Sequence, residues 1–446
     1  MRKEFLLLLA SVAATLAVAL GLIRWLAPGL LGVPADLALV QVDRKLPPFY
    51  EGVFRSADLK SQQFLLQDPL TRVRARPFYP PLGGMGPHDL LGFRNRSVPR
   101  VADIVVIGDS QTYGNNAAID DNWPSRLGRG LGGRRPVVYN MSVGGWGAVQ
   151  YLYMFTNATV LQPHVVIVAF YTGNDPLESF AMAYGSELWA GLRPDPALRG
   201  KDAPAVTFPA PESEWWPVTF QDGTRTVFTP TLRLASNQDH PAVDAGYAIM
   251  AAAARRISEL AGPFPLQLVF TVIPTKELAY ARKVARDGLA PPPDYRTLVR
   301  REQRHIEQLA GLLDGLPKAR YVDVVGPLQE AALGTARLYP ENINGHPLPA
   351  GYGVIARALA RVVGPLVPEP PRGLVAVRRG GKGMELFLVS DEGAWPLASP
   401  RIAAANGWSL KDIPVVPRRA IEGMMIHTVL DRVDPKRFGK AAVLGR

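Results

Sequence analysis

The sequence predicts an α/β protein with three layers, in which a five-stranded parallel sheet carries helices on both faces. After residue 101, five short apolar runs rich in β-branched residues recur, and helix-like stretches separate them. Each run is apolar nearly throughout, which is typical of strands that are buried on both faces. Strands that alternate with helices favour right-handed crossovers and therefore a parallel sheet.

The order of these elements tells us where to look for chemistry. The predicted strands are residues 104 to 107, 136 to 139, 165 to 171, 266 to 273 and 321 to 325. The predicted helices are residues 122 to 132, 146 to 160, 242 to 261, 296 to 315 and 350 to 364. Ligands of open parallel sheets bind at the carboxyl ends of the strands, so we expect functional side chains in the loops that follow the strands.

The N-terminus has the pattern of a membrane anchor. Arg2 and Lys3 precede an uncharged apolar run of 19 residues from Phe5 to Ile23. A membrane-spanning helix needs about 20 apolar residues, whereas the apolar core of a signal peptide has about 7 to 15. We therefore expect an uncleaved single-pass anchor, with the basic end inside. In a bacterium this predicts an inner-membrane protein whose main domain lies in the periplasm.

Four regions are expected along the chain. Residues 1–25 form the anchor, residues 26–100 a lead-in that packs on the main domain, residues 101–364 the main domain, and residues 365–446 a C-terminal extension. In the extension, the segments LVAVRR and MELFLVS flank GGKG, which predicts a hairpin.

Residues 176–240 interrupt the alternation of strands and helices and contain Trp189, Trp215 and Trp216. An insertion at this point hangs over the carboxyl edge of the sheet. It can serve as a lid or as a surface on which sugars stack. Alternatively, the aromatic side chains pin a long loop to the domain.

Composition excludes several classes of function. The net charge is +11, but the arginines are scattered and no nucleic-acid-binding module is recognisable. There are no cysteines, which excludes disulfides, thiolate metal sites and cysteine nucleophiles. The histidines and carboxylates lack the spacing of metal ligands, so neither a metal nor an organic cofactor is expected.

Ser110 is the candidate nucleophile. It lies in VVIGDSQTYG, where Gly108 allows a sharp turn at the end of the first strand and Asp109 can stabilise the turn. A serine in this place can equally be a simple helix N-cap.

Three further strand ends carry groups that suit a serine nucleophile. The Gly144-Gly145 turn follows the second strand, so its backbone N–H groups can approach a substrate oxygen closely. Asn174 follows the third strand in YTGND, and His346 comes after the fifth strand in ENINGHPLPAGYG. All of these groups are expected to converge on one edge of the sheet.

Other histidines fit the role of a base less well than His346. His240 lies in the similar stretch DHPAVDAGY, but it precedes the fourth strand. His305 is predicted to face solvent in the middle of a helix, and His164 comes before the third strand, at the opposite edge. Placement therefore favours His346.

The motifs GDS at 108 to 110, the glycine turn after Asn140, GND at 173 to 175 and the late HPLPAGY together resemble the four blocks of the SGNH (GDSL-type) hydrolases. The resemblance covers residues 101–364 and implies a flavodoxin-like sheet. It also implies that Ser110 is the nucleophile, that His346 is the base, and that the oxyanion hole consists of the Ser110 and Gly145 amides with the Asn174 side chain. The segments VIPTKELAY (272 to 280) and LLGFRN (90 to 95) resemble a periplasmic branch that includes polysaccharide O-acetyltransferases.

One position departs from this family pattern, which has an aspartate two or three residues before the histidine. Here those positions are Asn344 and Ile343. Asn344 can accept the Nδ1–H of the imidazole through its amide oxygen, although an amide stabilises the imidazolium less than a carboxylate does. Alternatively, Glu341 or a backbone carbonyl takes the role. In a third interpretation, catalysis is lost and the cleft only binds.

Three hypotheses about function follow from this resemblance. The first is an esterase that removes acyl groups from a cell-envelope carbohydrate, or from a small ester, through an acyl-serine. The second is a polysaccharide O-acetyltransferase that uses the same residues. The third is a catalytically degenerate protein that binds or assembles glycans. The sequence does not identify protein partners.

Overall fold

The computed structural model describes residues 64–82, 84–132, 136–378, 383–390, 392–409, 411, 413–422 and 424–433. The predicted anchor and the first part of the lead-in lie outside these residues. Within them, none of the helices combines the length and the apolar character that crossing a membrane requires.

Thirteen strands occur in the described residues. They are β1 (Leu65–Asp68), β2 (Arg72–Ala75), β3 (Ile104–Gly108), β4 (Val138–Ser142), β5 (Val165–Tyr171), β6 (Trp216–Thr219), β7 (Arg225–Phe228), β8 (Gln267–Ile273), β9 (Ala319–Val322), β10 (Gly373–Arg378), β11 (Met384–Ser390), β12 (Gly393–Pro396) and β13 (Val415–Val416).

The α-helices of the described residues alternate with these strands. They are α1 (Ser110–Tyr113), α2 (Trp123–Gly130), α3 (Ala148–Ala158), α4 (Asp175–Gly185), α5 (Pro230–Leu234), α6 (Pro241–Ala261), α7 (Lys276–Ala279), α8 (Ala281–Arg286), α9 (Pro293–Asp314), α10 (Val325–Ala332), α11 (Pro349–Val363), α12 (Pro400–Ala405) and α13 (Arg419–Glu422).

The central sheet has five strands in the order β4-β3-β5-β8-β9, and every neighbouring pair is parallel. The predicted five-stranded parallel sheet is therefore confirmed. The boundaries differ most in two strands: β4 ends at Ser142 rather than at 139, and β9 ends at Val322 rather than at 325. Asp323 Oδ1 accepts the backbone N–H of Val325 at 2.8 Å and so favours the start of α10 at that point.

Residues of the central strands alternate between two apolar clusters, one on each face of the sheet. On one face, Val105 and Ile107 pack with residues of α3, α6 and α9. On the other face, Ile104 and Val106 pack with residues of α2, α10 and α11. The predicted three-layer arrangement follows from this alternation, because successive side chains of a strand point to opposite faces.

The described part of the lead-in packs around the loop that follows β3. Arg94 is buried and donates hydrogen bonds to the carbonyls of Gly86 at 2.9 Å and Gly114 at 2.6 Å. Asn95 pairs with the backbone of Asn140 in β4, accepting its N–H at 2.9 Å and donating to its C=O at 3.0 Å. The LLGFRN segment is therefore bonded to the loop that follows α1 and to strand β4.

The region predicted as an insertion begins with a helix. Residues 175–185 form α4. The alternation of strand and helix therefore continues to residue 185, and the irregular part of the insertion begins only after it. The tryptophans are half-buried within the protein. Trp216 packs against Tyr295 with ring centroids 4.7 Å apart, and Trp215 donates to the carbonyl of Ala210 at 2.9 Å. The Trp216 contact matches the interpretation in which tryptophans pin the loop to the domain, whereas the Trp215 hydrogen bond lies within the loop.

The C-terminal extension forms a separate four-stranded sheet of order β12-β11-β10-β13. Strands β10 and β11 pair antiparallel, as the predicted hairpin requires. Trp395 and Leu388 are buried in the small core of this sheet.

Candidate active site

Ser110 lies on a tight turn between β3 and α1. A side chain at Gly108 would collide with the side chain of Thr112, so the turn requires glycine at that point. Asp109 is the N-cap of α1, and its Oδ1 accepts the backbone N–H of Gln111 at 2.9 Å. Because Asp109 caps the helix, the Ser110 hydroxyl is not needed for capping.

The Ser110 hydroxyl meets the imidazole of His346. Ser110 Oγ lies 2.8 Å from His346 Nε2, within the reach that general base catalysis requires. The His346 loop comes from the far end of the domain and lies against α1, where Gln111 Nε2 donates to the carbonyl of Gly345 at 3.3 Å.

Asn344 occupies the position of the third member of the site. Its Oδ1 lies 2.7 Å from His346 Nδ1 and also accepts the backbone N–H of His346 at 3.0 Å. Since a backbone N–H only donates, the Asn344 atom that it meets is the oxygen. The Nδ1 atom that faces this oxygen must then carry the proton, which leaves the lone pair of Nε2 for Ser110.

Asn116 provides a second contact that fixes the orientation of the Asn344 amide. Asn116 Nδ2 donates to the carbonyl of His346 at 3.0 Å, and its Oδ1 accepts from Asn344 Nδ2 at 2.9 Å. Both amides are therefore oriented by the backbone of His346, one by its N–H group and the other by its C=O group. Asn116 adopts φ +66°, a left-handed conformation that asparagine tolerates better than most residues.

A buried lysine, Lys276, holds the His346 loop through hydrogen bonds to its backbone. Lys276 Nζ donates to the carbonyls of Val227 at 2.7 Å, Asn342 at 2.8 Å and Asn344 at 3.3 Å. Lys276 belongs to the VIPTKELAY segment, so this segment positions Asn344.

Glu341 does not take the place of the missing carboxylate. Its carboxylate pairs with Arg337 at 2.6 Å and with Arg225 at 3.1 Å. The imidazole N–H goes to the Asn344 side chain rather than to a backbone carbonyl. Of the arrangements considered for the third member, the structure has the one in which Asn344 accepts from His346.

The predicted oxyanion donors follow β3, β4 and β5, which are neighbours in the sheet. A Cβ atom at Gly144 would lie 3.5 Å from the Cβ of Ser110, so the glycine turn lies directly against Ser110. Gly145 has φ +78° and an open surface beside it. Asn174 is the N-cap residue of α4 but makes no capping hydrogen bond through its side chain. Its amide is therefore available to a ligand.

The electrostatics of the site keep His346 neutral. Burial, together with the nearby Arg233 guanidinium, lowers the pKa of His346 to about 3. Burial also raises the pKa of Asp109 above its usual range. A neutral imidazole can accept the serine proton throughout the physiological pH range, although its basicity is weak.

The other histidines considered lie elsewhere. His240 caps α6, where its Nδ1 accepts the backbone N–H of Ala242 at 3.2 Å. The His305 side chain is half-buried, and its ring centroid lies 4.1 Å from that of Tyr247. The prediction that His305 faces solvent is therefore wrong. His164 lies at the start of β5, 4.0 Å from Asp103. No group of His, Asp and Glu within the described residues has an arrangement that suits a metal ion.

No protein-family model and no curated protein matches the chain. Several solved structures do, among them a catalytic mutant of an acetylxylan esterase from Geobacillus stearothermophilus, at 14% identity and TM-score 0.33 over 58% of this chain and 93% of that one. A GDSL-like lipase from Bacteroides thetaiotaomicron matches at 13% identity and TM-score 0.29, over 58% and 86%. An extracellular lipase from Streptomyces rimosus matches at 11% identity and TM-score 0.34, over 58% and 99%.

These three proteins are named as one esterase and two lipases. One of them is named for the GDSL motif, which this chain carries as GDSQ from Gly108 to Gln111. At such low identities, the activities of these proteins do not transfer to the chain.

Sequence reasoning missed Asn116, Lys276 and Arg233. Asn116 had a visible signal, since an Asn-Asn pair directly follows the GDSQTYG turn. The VIPTKELAY resemblance drew attention to the segment of Lys276 but not to its contact with the His346 loop, and Arg233 had no sequence signal. Both residues reach that loop from segments that are distant in the chain.

Proposed function

We propose that the protein is an SGNH-type serine hydrolase that cleaves carboxylic esters. The observation that carries this proposal is the relay from Ser110 Oγ through His346 to Asn344, with distances of 2.8 and 2.7 Å and a tautomer fixed by the backbone of His346. A serine hydroxyl is a weak nucleophile until a neighbouring base takes its proton, and this relay supplies such a base.

The first half of the reaction forms an acyl-serine. Ser110 Oγ attacks the ester carbonyl while His346 Nε2 takes the hydroxyl proton. The negative charge that develops on the carbonyl oxygen is held by the amides of Ser110 and Gly145 and by the Asn174 side chain, and each such donor contributes about a hundredfold or more in rate. As the intermediate collapses, His346 returns the proton to the departing alcohol oxygen.

The second half reverses these roles with water. His346 removes a proton from a water molecule, whose oxygen attacks the acyl-serine carbonyl. The same donors hold the second oxyanion, the Ser110 oxygen leaves with the proton from His346, and the carboxylic acid is released.

The hydrogen bonds of Asn344 support this proposal over a degenerate, glycan-binding protein. In a serine protease triad, replacement of aspartate by asparagine lowers kcat by about 10⁴ because the amide imposes the wrong tautomer. Here two hydrogen bonds fix the amide with its oxygen towards Nδ1. The orienting function of the third residue is therefore retained, and only its charge is lost.

We propose further that the chain is anchored in a bacterial inner membrane by residues 1–25 and acts in the periplasm on acylated carbohydrate of the cell envelope. The apolar run from Phe5 to Ile23 and the resemblance of VIPTKELAY and LLGFRN support this part. The chemistry also permits transfer of the acyl group to a sugar hydroxyl. Acetate release from acetylated polysaccharide, measured with and without acceptor oligosaccharide, separates hydrolysis from transfer.

The direct test is hydrolysis of p-nitrophenyl acetate by the purified full-length chain. We expect turnover by the wild type and loss of turnover in Ser110→Ala, with thermal unfolding of both proteins as the control for folding. Equal rates for the wild type and Ser110→Ala, or no turnover in either, would reject the proposed function.

A further inference from the structure

A cavity of about 480 Å³ opens beside His346. The residues of its wall used below are Asn344, His346, Phe208, Leu232, Arg233 and Ile343. Among the described residues, neither Ser110 nor the predicted oxyanion donors Gly145 and Asn174 line it. The cavity therefore lies on the His346 side of the nucleophile rather than on the side of the oxyanion.

This position identifies the part of an ester that enters the cavity. In the proposed reaction His346 returns a proton to the departing alcohol oxygen, so that oxygen must come within hydrogen-bond reach of Nε2. The alcohol therefore lies on the side of His346, and the cavity that His346 lines receives it.

Arg233 contributes an unpaired charge to the cavity wall. Its side chain is half-buried. Among the described residues, its guanidinium has no hydrogen-bond acceptor and no carboxylate oxygen within 4.0 Å. The buried Arg94, in contrast, donates to backbone carbonyls, including those of Gly86 and Gly114. A guanidinium presents five N–H donors in one plane, an arrangement that matches the two oxygens of a carboxylate. The guanidinium of Arg233, which has no acceptor among the described residues, therefore suits an anionic ligand.

The guanidinium of Arg233 lies close to the His346 loop. A Cβ atom at Gly345 would lie 2.8 Å from Arg233 Nη2, which places the guanidinium against the backbone directly before His346. Burial opposes the charge of Arg233, but Tyr171 and the carboxyl groups of Glu277, Glu302 and Asp109 raise its pKa. Arg233 therefore stays charged.

We propose that Arg233 binds a carboxylate on the alcohol part of the ester, so that the preferred substrates are O-acylated hydroxy acids, acylated acidic sugars among them. The apolar side chains of Leu232, Ile343 and Phe208, the last 79% exposed, are available to contact the carbon skeleton of such an alcohol. This inference rests on the proposed function, because it uses the same nucleophile and base.

The test compares two esters that differ in one group, 3-acetoxybenzoate and 3-acetoxybenzamide. Both release a phenol of similar size, and only the first carries a negative charge on the alcohol part. Each rate is divided by the rate of spontaneous hydrolysis of the same ester. We expect the full-length wild type to prefer the benzoate in kcat/KM by roughly tenfold to a hundredfold, as a charge-assisted hydrogen bond predicts.

Three variants of the chain test whether Arg233 causes the preference. Arg233→Gln should bring the ratio of the two kcat/KM values close to one, and Arg233→Lys should retain part of the preference. Arg256→Gln removes the same charge from an exposed ion pair with Glu259 on α6 and should leave the ratio as in the wild type. A ratio near one in the wild type, or an unchanged ratio in Arg233→Gln, would overturn the inference.

A binding experiment separates this inference from the proposed function. In Ser110→Ala, calorimetric titration with 3-hydroxybenzoate and 3-hydroxybenzamide measures recognition without turnover. We expect tighter binding of the benzoate, and loss of the difference in Ser110→Ala combined with Arg233→Gln. If the wild type hydrolyses neither these esters nor p-nitrophenyl acetate but binds the benzoate through Arg233, the proposed function fails and the anion site stands. If both esters are hydrolysed without discrimination and both phenols bind equally, the anion site fails alone.

Discussion

Asn344 Oδ1 contacts His346 twice, accepting from the imidazole Nδ1 at 2.7 Å and from the backbone N–H at 3.0 Å. A carboxylate in this place would orient the ring and stabilise the imidazolium. The amide oxygen provides the first effect without the full negative charge of the second. The site should therefore be an oriented but weakly basic version of a serine hydrolase site.

The pH dependence of the reaction should show this weak basicity. Since the pKa of His346 is lowered from 6.5 to about 3, the neutral base persists as the pH falls through 6.5 and is lost only towards pH 3. We expect kcat/KM for p-nitrophenyl acetate to stay level between pH 7 and 5. The lowered pKa of His346 also contributes to the stability of the folded state above pH 6.5. This contribution is lost progressively as the pH falls from 6.5 towards 3. Samples returned to pH 7 before a second assay control for unfolding.

Asn344→Asp should move the loss of activity at acidic pH to a higher pH. A carboxylate beside the ring raises the pKa of His346 by about one to three pH units, because it stabilises the imidazolium. The substitution also places a carboxylate oxygen opposite Asn116 Oδ1, so Asn116 has to reorient. A pH profile identical to that of the wild type would show that Asn344 does not contact the working base.

Asn116→Gly should lower kcat by about tenfold, because the Asn344 amide loses one of the two contacts that orient it. Glycine is the appropriate replacement, since residue 116 has φ +66° and alanine would add backbone strain. The measurement is kcat for p-nitrophenyl acetate together with the thermal unfolding temperature. An unchanged kcat would remove Asn116 from the positioning of Asn344.

Asn174→Ala should lower kcat by about 100- to 1000-fold through loss of an oxyanion donor. Because the Asn174 side chain does not cap α4, the free energy of unfolding should change by less than about 0.5 kcal/mol. Steady-state kinetics and denaturant unfolding check the two halves of this prediction. A stable variant with wild-type kcat would exclude Asn174 from the oxyanion hole.

Lys276 should give the reaction a basic limb. Burial, with a contribution from Arg233, lowers the pKa of Lys276 from 10.5 to about 8, so the ammonium loses a proton as the pH rises above 8. A neutral amine has two N–H groups for the three carbonyls that Lys276 now contacts, and the Asn344 loop should loosen. We expect kcat to fall above pH 8 in the wild type. In Lys276→Met we expect a uniformly lower kcat without that limb, and persistence of the limb would contradict this role.

The sheet could be predicted from the sequence because buried parallel strands are apolar on both faces. VVIVAFY coincides with β5, and the order of GDS, the glycine turn and GND places three strand ends together. Helix α4 was not predicted, because the Pro- and Gly-rich residues that follow it dominated the interpretation of 176–240. Its own signals were Asp175 and Pro176 at the first turn, with buried Phe180 and Ala183 at helical spacing.

The site itself could be predicted only in part. Ser110 directly follows strand β3, and His346 was marked by its place after the fifth strand and just before the last helix of the domain. Whether Asn344 can replace an aspartate depends on the hydrogen bonds of Asn116 and Lys276, which are 228 and 68 residues away in the chain. Such contacts arise only when the fold brings the segments together, and a local pattern does not contain them.

The central claim is that His346 and Asn344 activate Ser110. The most direct measurement is the intact mass of the full-length chain after exposure to a fluorophosphonate, which phosphonylates an activated serine with release of fluoride. We expect one adduct in the wild type that maps to Ser110, slower labelling in His346→Ala, and no adduct in Ser110→Ala. No adduct in the folded wild type, or an equal adduct in Ser110→Ala, would contradict the claim.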